Sequence, residues 1–141
     1  MGWAGAIAGF SAGAIMILLG HVAPLLGANR LAKDLDVLRL FGRKYSRRES
    51  HIVGMIIHLI LYAFFGIVYG VAVVQGVFDG VQPFPLGIYL ALITIVMGGV
   101  IMPLEGHGLF GVKEDHWFVV DLLLMNAGWL ILFAAIFRIW L

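Results

Sequence analysis

Four apolar runs of about twenty residues, each closed by Gly, Pro or a short polar break, decide what this chain can become. They cover residues 3–26, 52–77, 86–104 and 117–140. A helix advances about 1.5 Å per residue and needs about 20 apolar residues to cross the hydrocarbon core of a bilayer. Backbone groups in lipid must be satisfied internally, and these runs lack the alternation of a barrel strand, so each reads as a transmembrane helix. Composition agrees: 62% of the residues are hydrophobic and 12% charged, where a soluble domain carries about a quarter charged. The expected fold is all-α, a polytopic membrane protein forming one four-transmembrane-helix bundle over residues 1–141.

The charges are unevenly placed. Seven of the nine basic residues (Arg30, Lys33, Arg39, Arg43, Lys44, Arg47, Arg48) fall between positions 28 and 50, and none falls in the turn at 79–85. Clustered basic residues in a short loop mark the cytoplasmic side, which puts loop 28–50 inside and both termini outside a prokaryotic inner membrane. Lys113 agrees; Arg138, beside Trp140, snorkels from the outer end of the last run. Between two membrane runs such a stretch reads as a contact with anionic lipid headgroups, and no nucleic acid is expected as a partner. Within it Leu31, Leu35, Leu38 and Phe41 recur at helical spacing, which predicts an amphipathic helix lying on the inner leaflet between the first two spans.

Small residues set the expected packing. Gly5, Gly9 and Gly13 repeat every four residues in the first run, and Gly66 and Gly70 do so in the second. GxxxG faces let helix backbones approach closely, inside one chain or against a second membrane subunit or copy.

Ionisable groups inside apolar runs mark candidate chemistry, because burying them is costly. His58 lies on the second run, Glu105 and His107 follow Pro103 at the end of the third, Asp121 lies inside the fourth, and His21 closes the first. With the orientation above they share the cytoplasmic third of the protein, together with His51 and His116. Imidazole and carboxylate at one level suit a transition metal or a proton relay. Hence His58, Asp121, Glu105, His107 and His21 form the candidate metal set. A haem b held by two histidines, His58 and His21, is a further reading, although the two stand at different depths. In the structural alternative the interfacial groups are solvated while Asp121 and His58 satisfy one another.

Other chemistries are poorly served. The chain has no cysteine, so thiolate metal sites, iron–sulfur clusters and thiol nucleophiles are excluded. Gly106-x-Gly108-x-x-Gly111 spells a dinucleotide fingerprint but follows no strand, and its glycines instead suit a sharp exit from the third run.

His58-Leu59 leading to Phe65-Gly66-Ile67-Val68-Tyr69-Gly70, together with Met102-Pro103-Leu104-Glu105-Gly106-His107-Gly108-Leu109-Phe110-Gly111, resembles small uncharacterised four-span prokaryotic membrane proteins with a glycine-rich first span. In them a short Asp-containing segment follows, to which Leu35-Asp36 corresponds. The resemblance implies the four-span fold and carries no activity with it. The expected function is a small, non-catalytic accessory subunit of a larger membrane complex in energy conversion or oxidation chemistry. The alternative is a metal-, haem- or quinone-binding redox or proton-relay protein using the His/carboxylate groups. A small transporter or channel is the third class, against which stands the lack of internal repeats and of a polar stripe through the full depth.

Overall fold

The computed structural model describes residues 1–22, 39–40, 43–114 and 116–141, and helix dominates them. Four helices, Gly2–Val22, Arg47–Val74, Pro83–Glu105 and Phe118–Trp140, are each long and apolar enough to cross a membrane. Leu18, Ile60, Ile95 and Ile131, one from each, are exposed. Helices apolar on their outward as well as their inward faces suit a lipid surrounding.

Helix α1 spans Gly2–Val22. Helix α2, Arg47–Val74, starts five residues before its apolar run. Ser46 accounts for this: its hydroxyl accepts from the Glu49 N–H, and the Glu49 carboxylate accepts from the Ser46 N–H at 3.0 Å. This reciprocal capping box satisfies two of the donors a helix start leaves open. Gly76, at φ +72°, takes the left-handed conformation just past the end of α2, a position that favours glycine.

Helix α3, Pro83–Val96, opens with proline in its first turn. It widens into a π-helical turn at Met97–Ile101 and continues as α4, Met102–Glu105. The cause is Pro103, which has no N–H to give and whose ring would strike the carbonyl four residues back in a regular helix. The wider turn relieves that clash, with the Met102 N–H reaching the Met97 carbonyl. Gly106, Gly108 and Gly111 then adopt positive φ, as does Phe110 at +50°. The chain thereby folds back on itself, and the Phe110 ring settles on Gly98, where a β-carbon would collide with it. Helix α5, Phe118–Phe137, ends in a single 3₁₀ turn.

Between α1 and α2 the sequence predicts an interfacial helix, most of which lies outside the described residues. Where it extends to Arg39 and Leu40, the expectation is corrected. Strand β1, Arg39–Leu40, pairs antiparallel with β2, Arg43–Lys44, in the register Arg39–Lys44 and Leu40–Arg43. Two residues separate the strands, the spacing of a tight hairpin, and β1 packs against α4.

Helices α1 and α2 pack most closely, backbone against backbone. A β-carbon at Gly5 would fall on the Gly66 carbonyl, one at Gly9 on the Tyr62 carbonyl, and one at Gly66 on the Gly5 carbonyl. Helix α5 joins them through Trp129, whose indole N–H donates to the Gly9 carbonyl at 3.1 Å. Tyr62, Trp129, Phe133 and Phe137 form a column of stacked rings with successive centroids 5.2–5.3 Å apart. Tyr89 of α3 donates its hydroxyl to the Phe65 carbonyl of α2, and Asn126 of α5 donates to the Thr94 hydroxyl of α3 at 3.1 Å.

The two ends differ. At one, Trp3 meets Trp140 edge to face and the Tyr69 hydroxyl donates to the Gly80 carbonyl, bringing both termini and the α2–α3 turn together. At the other lie the β-hairpin, the His21–His51 pair and the glycine-rich turn after α4.

Candidate functional site

Three ionisable side chains at that second end are buried although their chemistry favours water: His58, Glu105 and His107, at 2%, 1% and 1% exposure. Helix α2 carries His58, α4 ends in Glu105, and the left-handed Gly106 turns the chain so that His107 also points inward.

His58 donates from Nδ1 to the Gly54 carbonyl one turn back, at 2.9 Å. That bond places its proton on Nδ1 and leaves a lone pair at Nε2. The same Nδ1 stands 3.9 Å from a Glu105 carboxyl oxygen, beyond hydrogen-bond reach. Among the described residues neither Glu105 oxygen has a hydrogen-bond partner. Such orphaned buried groups are rare in folded proteins and call for an explanation.

His107 is better served. Its Nδ1 donates at 2.9 Å to Glu114, whose side chain is 28% exposed, and its ring stacks on Phe118. Partly exposed Glu114 and buried His107, His58 and Glu105 gather at this end of the molecule.

The remaining candidates lie apart. His21 donates from Nδ1 to the Ile17 carbonyl at 2.7 Å, and its Nε2 stands 2.9 Å from Nε2 of His51. With His21 neutral, His51 is the donor between them. His21 therefore faces His51 rather than His58. Asp121 sits half-buried in the first turn of α5, and among the described residues no hydrogen bond or ion pair joins it to His58. His116 is exposed beside Trp117. Among the described residues no three His, Cys, Asp or Glu side chains are placed to hold a metal ion together.

Sequence reading overlooked four contributors. Glu114 passed as part of a polar connector, although its spacing of seven from His107 was visible. Met97, Met102 and Met125 passed as ordinary apolar residues, yet all three line one cavity with His58. The π turn explains the first two. Five residues apart, they diverge on a regular helix, but one π turn returns them to the same face.

No family model, no curated protein and no solved structure matches this chain.

Proposed function

We propose that the protein is a small integral membrane component, a four-helix transmembrane bundle that takes up a proton from one side and holds it at Glu105. The observation that carries this reading is the Glu105 carboxyl group, buried with no hydrogen-bond partner for either oxygen among the described residues. An ionised carboxylate there is unfavourable by several kcal/mol unless a cation joins it. The group therefore rests as the neutral acid and ionises only when charge arrives at His58. At 3.9 Å two unit charges interact by about 4 kcal/mol for an effective dielectric near 20, enough to link their protonation. His107 and Glu114 form the route to the surface.

The basic hairpin lies at the same end as this site, so positive-inside orientation makes that end cytoplasmic and puts both termini outside. Toward the other end Tyr69, Tyr89 and Trp129 give their protons to backbone carbonyls, and beside the site buried Asn126 and Thr94 bond each other. Groups bonded in this way do not continue a proton path across the membrane. That favours a holding site over a channel, and suits a subunit that serves the proton chemistry of a larger membrane complex.

The test is nuclear magnetic resonance of protein carrying ¹³C-labelled glutamate and ¹⁵N-labelled histidine in lipid nanodiscs. The Glu105 carboxyl, assigned by its loss in Glu105→Gln, is expected to respond to pH together with the His58 ring nitrogens, as a coupled pair does. An unresponsive Glu105, with a His58 response identical in Glu105→Gln, rejects the reading.

A further inference from the structure

Helix α2, the π turn and α5 enclose a cavity of about 10 Å³ lined by His58, Tyr62, Asn126 and three methionines, Met97, Met102 and Met125. A cavity needs about 10–15 Å³ to hold one water, so the space admits a single water or a bare ion and nothing larger. Its donors are uncommon for so small a volume. Three of the six methionines in the chain converge here from three elements, the π turn, α4 and α5, and each is buried. Methionine fills irregular core gaps readily, but a filler role gives no reason for an imidazole among the thioethers. The π turn forced by Pro103 brings two of them, Met97 and Met102, to the same face.

Three further features point to a cation. His58 gives Nδ1–H to a backbone carbonyl, the arrangement that orients ligating histidines and leaves Nε2 to bind. Its Nε2 makes no hydrogen bond among the described residues. Glu105, 3.9 Å from the same ring and without a hydrogen-bond partner among the described residues, supplies on ionising the negative charge that offsets a monovalent ion in an apolar interior. Thioether and imidazole donors together select soft Cu(I) over zinc, magnesium or calcium.

We propose that this cavity binds one Cu(I) ion through His58 Nε2 and the thioether sulfurs of Met97, Met102 and Met125. The ion takes the same His58 Nε2 that a proton takes, so copper and proton compete for that atom, and no change of copper oxidation state is involved. Sequence reasoning placed the metal among carboxylates and histidines, whereas the cavity turns the choice toward sulfur.

The experiment uses the full chain in detergent micelles under anaerobic reducing conditions, titrated with Cu(I) against bicinchoninate. One Cu(I) per chain is expected to survive the competition. Met97→Leu, Met102→Leu and Met125→Leu conserve volume closely enough to fold, and each is expected to weaken binding by roughly tenfold or more. His21→Ala and His51→Ala should leave it unchanged. X-ray absorption at the copper edge of the unaltered protein should show sulfur neighbours beside nitrogen, a result independent of how any variant folds. Failure to retain Cu(I), copper without sulfur neighbours, or binding lost with His21 or His51 but kept in the three leucine variants each overturns the proposal. The proton reading is scored separately, on metal-free protein, by the coupled response of Glu105 and His58.

Discussion

Glu105 and Glu114 stand nine residues apart and are expected to respond oppositely to removal. Glu105 is buried without a side-chain hydrogen bond among the described residues, so Glu105→Leu removes a desolvated polar group and should raise unfolding stability in micelles by about 1–3 kcal/mol. Glu114 accepts the His107 N–H at 2.9 Å, so Glu114→Ala takes away that acceptor and should lower stability by about 1–3 kcal/mol. Unfolding of both variants under steric trapping reads the sign directly. Equal losses in the two would mean that Glu105 makes a stabilising contact and is no reservoir for a proton. At this scale the sequence was informative about which residues matter, because an ionisable group in an apolar run stands out whatever the fold. It was poor at pairing them. The link between Asp121 and His58 assumed that depth decides contact, whereas contact also depends on the rotation of each helix about its own axis.

Helix rotation and helix spacing here are set by two local devices. The first is the glycine seam between α1 and α2. A β-carbon at Gly9 meets the Tyr62 carbonyl, while one at Gly87 meets nothing within 4 Å. Gly9→Ala should therefore cost about 1–3 kcal/mol through overpacking, and Gly87→Ala should be neutral or gain a few tenths from helix propensity. Comparable effects at both positions would show that the close approach contributes nothing. The second device is the π turn forced by Pro103, which puts Met97 and Met102 on the cavity. Four apolar helices were legible in the sequence, since length and hydropathy decide them, although α2 starts five residues before its run and ends three before the run's close. The early start of α2 was legible in Ser46-Arg47-Arg48-Glu49 but was not read. The π turn was signalled only by a proline, which is equally compatible with a simple helix end.

Across the whole molecule, side-chain contacts place both termini and the α2–α3 turn at one end, and the hairpin with the His–Glu group at the other. Because the chain contains no cysteine, single cysteines introduced at Lys44 and Asp79 report sidedness without background. Lys44→Cys should be protected from an impermeant maleimide in intact cells and Asp79→Cys should react; the reverse pattern would invert the orientation. The central claim is that Glu105 rests as a neutral acid within the apolar interior, and infrared spectroscopy tests it most directly. In lipid-reconstituted, metal-free protein the account predicts a carboxylic-acid C=O band that shifts in heavy water, is absent from Glu105→Gln and persists in Asp121→Asn. A spectrum with carboxylate bands alone, or an acid band unchanged in Glu105→Gln, would contradict it.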